Sequence, residues 1–210
     1  MELTEHQKDA LSELINIAFS RTAASLSELT GHRVLLDVPN VAIFPITELA
    51  SALAEFLPAE VATVHQVFKG PVTGDALLLL NYDGAITLTD LLTDEQVRSE
   101  RLNTSAREVL TEVGNILLNA CLGMFGNLLQ VHVSFSVPRL HLETLDALLR
   151  SLVISSEGLR YALVVYTAFR LRDSAVRGFL VIALNVASLD RLIQEAEEWE
   201  EKQGRKQDLG

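Results

Sequence analysis

Glu108-Val-Leu-Thr-Glu112-Val-Gly-Asn115-Ile-Leu-Leu-Asn119 spaces its polar residues by three and four, the period that brings side chains onto one face of a helix. An earlier stretch, Asp9-Ala-Leu-Ser-Glu13-Leu-Ile-Asn16-Ile-Ala, repeats the pattern, and its Glu13 and Asn16 stand 99 positions before Glu112 and Asn115. Pro39 and Pro138, each closing a strand-like run, are also 99 apart. Gly74–Asn81 matches Gly178–Asn185 at an offset of 104. A single long period of this kind marks an internal duplication and not a solenoid.

Working outward, Thr4 to Leu29 predicts a helix, with Thr4 and Gln7 as a capping box and Gly31 as its stop. Leu11, Leu14, Ala18, Thr22, Leu26 and Leu29 cluster on one side, and Asp9, Glu13, Asn16 and Ser20 on the other. Strands are predicted at 33–38, 41–44, 61–68 and 76–81, with short helices at 47–56 and 84–92 and a polar connection at 94–103. The second half predicts a helix at 105–129, with Leu110, Val113, Leu117, Cys121, Met124 and Leu128 on its apolar side. Strands at 131–137, 162–170 and 178–185, a helix at 188–202 and a polar tail from Gln203 complete it. The expected organisation is one domain over 1–195, built of repeats at about 4–95 and 103–195, then an acidic helix end and tail at 196–210.

Composition narrows the function classes. The chain has 210 residues, 49% of them apolar, and a mean hydropathy of +0.25, which fits a packed globular protein. Its 28 acidic and 17 basic residues leave a net charge of −11, which opposes nucleic-acid binding through a basic patch. The single cysteine, Cys121, rules out an internal disulfide and reads as a small buried hydrophobe. No basic segment followed by an apolar stretch opens the chain, and the longest apolar run, 178–184, is far shorter than the roughly 20 residues that span a bilayer. A soluble, cytoplasmic protein without membrane insertion is expected. Glu195, Glu197, Glu198, Glu200 and Glu201 read as a solvated helix face, with Trp199 the one residue there suited to anchoring a partner.

The chemistry rests on the paired Glu and Asn. Such a pair holds no nucleophile and no metal cage, but it suits orienting a water or gripping a cation in a partner's active site. An amphipathic helix normally has a polar outer face, and duplication alone would copy it. Yet the flanking polar positions differ between the copies, Asp9 against Glu108 and Ser20 against Asn119, while Glu and Asn are kept. The five histidines fall on different elements without ligand spacing and read as surface or loop residues. Gly70–Gly74 lacks the lysine and spacing of a phosphate loop.

These residues carry a resemblance. Asp9 to Ala18, continuing through Ala24-Ser-Leu-Ser-Glu28-Leu-Thr-Gly31, is similar to the first signature of the CheC family, phosphatases of the chemotaxis regulator CheY related to CheX and FliY. Glu108 to Asn119 resembles the second signature, and Phe68-Lys-Gly70-Pro-Val-Thr-Gly74-Asp-Ala-Leu-Leu resembles the glycine-containing strand pair between them. The likeness runs over roughly residues 5–195, with two departures. Ile15 stands where glycine is usual, and Glu108 where serine or aspartate is; Glu108 also lies three residues after Ser105, so it reads equally as a capping-box residue or a substrate contact.

The resemblance implies an α/β (α+β) unit with pseudo-two-fold symmetry, its mainly antiparallel sheet covered by the two long motif helices. It implies hydrolysis of the aspartyl phosphate of a CheY-like response regulator, with Asn16 and Asn115 orienting the attacking water. Glu13 and Glu112 would pair with the regulator's lysine, and Asp9 and Glu108 would contact the substrate. No cofactor or metal of its own is implied, since Mg²⁺ arrives with the phosphorylated regulator. A CheD-like deamidase is a further implied partner. The alternative is a non-catalytic scaffold or sink for a response regulator, a flagellar-switch component or such a deamidase.

Overall fold

Helix α1 (Glu5–Thr30) begins where Thr4 and Gln7 satisfy each other's backbone: Gln7 N donates to Thr4 Oγ1 at 3.2 Å and Thr4 N to Gln7 Oε1 at 3.0 Å. It ends at Gly31, whose φ of 69° turns the chain while its N–H donates to the Ser27 carbonyl. The computed structural model describes residues 3–57, 60–70, 73–93, 99–128, 130–155, 158–171 and 174–207. After α1 come β1 (Val34–Pro45), α2 (Leu49–Leu53), β2 (Glu60–Lys69), β3 (Gly74–Asn81) and α3 (Tyr82–Leu92). The second half holds α4 (Thr104–Leu128), β4 (Ser134–Phe135), β5 (Arg139–Thr144), α5 (Leu145–Ser155), β6 (Tyr161–Leu171), β7 (Ser174–Leu184) and α6 (Val186–Gln207).

Several boundaries differ from the sequence reading. The two strands expected at 33–38 and 41–44 are one, β1, with a shift in pairing between Asp37 and Asn40. β1 runs on past that point, so no strand ends there. At the matching place in the second half, Pro138 separates β4 from β5, so the strand expected at 131–137 shrinks to Ser134–Phe135. β5 and α5 fill a stretch for which the sequence suggested no element. Helix α6 runs on to Gln207, through the start of the expected tail. Leu29, placed on the apolar side of α1, is 63% exposed, because it lies in the last turn about 60° round the helix from buried Leu26.

The seven-stranded sheet has the order β1-β6-β7-β3-β2, with β4 and β5 both joined to the outer side of β2, and every pairing is antiparallel. β1 of the first half pairs with β6 of the second, and β5 of the second with β2 of the first. The halves interlock about the central β3–β7 pair, where Gly74 lies opposite Leu184 and Leu79 opposite Phe179.

Alternation along the strands divides the core. Ala76, Leu78 and Leu80 of β3 pack with Leu11, Leu14 and Phe19 of α1, Leu110 and Leu117 of α4, and side chains of α3 and α6. Leu77 and Leu79 face the other way, onto Leu49 and Leu53 of α2 and Leu145, Leu148 and Leu149 of α5. With both faces covered, β3 carries an unbroken apolar run from Ala76 to Leu80. Each such fully buried leucine contributes roughly 1.5–3 kcal/mol. Helix α4 is long and apolar enough by composition to cross a membrane, but half of its apolar window is buried inside the fold. The result is an α+β fold whose sheet carries the two long motif helices on one face.

Candidate functional site

The two motif helices seat on the core differently. A side chain at Gly114 would bring its Cβ to 2.5 Å from Val64 Cβ of β2, so α4 lies directly on the strand there. The corresponding Ile15 of α1 is buried and fills that space with its own side chain. The departure from glycine thus changes how the helix rests on the core, while the outer face stays free.

On α1, Asp9, Glu13, Asn16 and Ser20 are all exposed. Ser20 Oγ donates to the Asn16 carbonyl at 2.8 Å, an ordinary back-bond along the helix. Among the described residues, the side chains of Asp9, Glu13 and Asn16 have no hydrogen-bond or ion-pair partner. The first carboxamide is therefore open to solvent and to any partner.

On α4, Glu108 and Glu112 are exposed and Asn115 is half-buried. Asn103 caps this helix, accepting from Ala106 N at 2.8 Å, so Glu108 is not the third residue of a capping box at Ser105. Asn115 Nδ2 reaches Glu112 Oε2 at 3.5 Å, and Asn119 Nδ2 donates to Asn115 Oδ1 at 2.8 Å. Behind them, buried Gln66 of β2 donates from Nε2 to Asn119 Oδ1 at 3.1 Å and to the Ser136 carbonyl at 2.9 Å. A polar chain thus runs from the sheet to the second carboxamide and orients it. Sequence reading grouped Asn119 with this face but missed Gln66, which belongs to a strand 53 residues away.

Beside the first face, a groove of about 240 Å³ lies between α1, α4 and α6, lined by Leu14, Ile17, Arg21, Met124, Leu128 and Trp199. The acidic side of α6 is partly tied down: Glu200 meets His6 of α1 at 3.2 Å, and Glu198 meets Lys202 at 3.4 Å. No group of three or more metal-ligating side chains occurs among the described residues. Cys121 is buried in α4, and burial pushes its thiol well above the usual range. The histidines are less scattered than the sequence suggested, since His65 and His141 meet on neighbouring strands with ring centroids 5.8 Å apart.

No family model matches the chain. Among curated proteins it is similar to the flagellar motor switch phosphatase FliY of Bacillus subtilis, 22% identical over 143 residues, covering 67% of this chain and 37% of that protein. It is also similar to the CheY-P phosphatase CheC of the same organism, 24% identical over 173 residues, covering 79% of this chain and 81% of CheC. The chain thus spans little more than a third of FliY and most of CheC. Among solved structures, Thermotoga maritima FliY superposes with a TM-score of 0.75 at 19% identity, over 94% of this chain and 99% of that one. The middle domain of Helicobacter pylori FliM superposes with a TM-score of 0.62 at 12% identity, over 92% and 99%. These two likenesses establish the fold. Both Glu-x-x-Asn helices are in place on that fold, and the curated matches to FliY and CheC support the resemblance to the CheC/CheX/FliY-type family.

Proposed function

We propose that the chain is a phosphatase that hydrolyses the aspartyl phosphate of a CheY-like response regulator. The observation that carries the reading is the pair of Glu-x-x-Asn faces, each on a long rigid helix, each turned outward, at matching places in the two halves. The names of the two curated relatives, a flagellar motor switch phosphatase and a CheY-P phosphatase, support the same chemistry.

The mechanism follows from what these groups do at a partner's phosphoryl site. Hydrolysis needs a water held in line with the leaving carboxylate oxygen, and most of the rate gain comes from positioning and charge stabilisation. Asn16 or Asn115 enters the regulator's site, accepts a hydrogen bond from that water at Oδ1 and directs Nδ2 toward the phosphoryl oxygens. A carboxylate in the same place would repel them. Glu13 or Glu112 pairs with the regulator's lysine and fixes the docking geometry, with Asp9 or Glu108 extending the contact. Mg²⁺ brought by the phosphorylated regulator would neutralise the developing charge at the phosphoryl group. A cytoplasmic location and a further CheD-like deamidase partner belong to the same proposal.

The test is decay of a phosphorylated CheY-type regulator in Mg²⁺, with and without the protein. Accelerated decay is expected, and it should vanish in the Asn16→Ala/Asn115→Ala variant with the thermal unfolding midpoint unchanged. Binding without acceleration would replace this reading by a scaffold or sink. Unchanged turnover in the double variant would remove the two asparagines from the mechanism.

A further inference from the structure

On the side of the sheet opposite α1 and α4, a cleft of about 810 Å³ opens between β2, β3, β5 and α5. Its size falls within the few hundred to about 1,000 Å³ typical of small-molecule sites. Its walls include His65 and Lys69 of β2, Asp75 of β3, Arg139 and His141 of β5, and Leu148 of α5. In a chain with 28 acidic and 17 basic residues, the described residues of this lining include two permanent cations and two histidines against one carboxylate.

That carboxylate is already engaged, because buried Asp75 Oδ1 lies 2.6 Å from His65 Nε2 and holds the ring in place. Lys69 and Arg139 have no ion-pair partner among the described residues. His141 faces Glu143 at 3.6 Å through Nδ1, while its Nε2 is buried without a hydrogen bond. The charged groups around the histidine pair are therefore Asp75, Glu143, Arg139 and Lys69. Two of these are anionic and two cationic, and Lys69 and Arg139 keep their donors available to the cleft because they have no ion-pair partner among the described residues.

We propose that this cleft binds a small oxyanion, a phosphate- or carboxylate-bearing molecule, held by Arg139 and Lys69 with His141 as a proton-linked partner. The guanidinium fork and the ammonium supply charge-assisted donors to the oxyanion. In the free protein, burial and the neighbouring His65 and Arg139 keep the His141 pKa below its ordinary value, outweighing Glu143. A bound anion favours the charged ring, so its binding carries proton uptake and strengthens as pH falls. The assignment is independent of the phosphatase reading, since neither motif helix lines the cleft.

The experiment uses the full chain and inorganic sulfate, whose charge does not change over the histidine range. Binding is followed by calorimetry and by histidine ring proton NMR, with chloride at matched ionic strength as the reference. Saturable sulfate binding that shifts the His65 and His141 signals is expected, tighter by several-fold at about pH 5.5 than at about pH 7.5. Arg139→Gln and Lys69→Gln, both at exposed side chains, should each weaken it by about tenfold while Asn16→Ala/Asn115→Ala leaves it unchanged. A competition arm separates the ligand classes: malonate displacing sulfate points to a carboxylate ligand, and its failure to do so to a phosphate-like one. Equal effects of sulfate and chloride, or wild-type affinity in both variants, would overturn the site. Binding that ignores pH would remove His141 from it.

Discussion

Asn16 and Asn115 occupy equivalent places but have different surroundings. Asn16 is exposed with an unengaged side chain among the described residues, whereas Asn115 is oriented through Asn119 and Gln66. Orienting a carboxamide before the partner arrives lowers the entropy lost on docking, so Asn115→Ala should reduce turnover more than Asn16→Ala in single-turnover decay assays. Asn119→Asp keeps the acceptor for Gln66 but removes the donor to Asn115 Oδ1. Loss of one net hydrogen bond of about 0.5–1.5 kcal/mol predicts a slowing of roughly two- to tenfold at saturating regulator. No change in that variant would reduce the polar chain to a structural role. His141 gives a second prediction at this scale. Its folded pKa lies below the ordinary histidine value, so the folded state binds fewer protons than the unfolded chain between those two values. Its contribution is fully present above the unfolded pKa and is lost as pH falls through the folded one. His141→Asn should therefore flatten the acid side of the stability curve measured by urea unfolding in salt-matched buffers.

At the scale of elements, the two motif helices present the same Glu-x-x-Asn pattern on two different packings. Gly114→Ala forces a Cβ against Val64 of β2, and overpacking of this kind typically costs about 1–3 kcal/mol. Ile15→Ala instead opens a cavity under α1, with an expected cost of about 2–5 kcal/mol. Urea denaturation should separate the two: Gly114→Ala should also disturb the Asn115 face, as seen in its NMR shifts, while Ile15→Ala leaves that face in place. The long helices were legible in the sequence because their apolar periodicity, and for α1 the Thr4 cap, are local. β5 and α5 were missed although Leu140 and Leu142 alternate with polar residues and Thr144 Oγ1 accepts from Ala147 N at the start of α5. Arg139 and His141 of β5 face the cleft and not a core, so the strand reads as surface. The groups that define the second cleft are the same ones that disguised its wall.

For the molecule as a whole, the exchanged strands decide how it folds. β1 finds its partner in β6 and β5 finds its partner in β2, so neither half can complete its own sheet. A chain ending at residue 100 should show poorly dispersed amide signals, and equilibrium unfolding of the full protein should follow one transition by fluorescence and circular dichroism alike. A separately folding first half would contradict the interlocked architecture. Cys121 offers an independent probe of the same cooperativity. Buried in α4, with its thiol pKa raised by burial, it should react with a thiol reagent only at the rate of opening of the core.

The sequence by itself determined the two long helices and the polar face of each, because helical spacing is a short-range property of the chain. Tertiary structure decided what those faces rest on and what lies behind them. Gln66 reaches Asn119, and His65 meets His141, only because β2 pairs with β5 in one register and packs beneath α4. Pairing between segments so far apart in the chain is selected by the burial of both sheet faces at once, a condition that no local stretch of sequence contains.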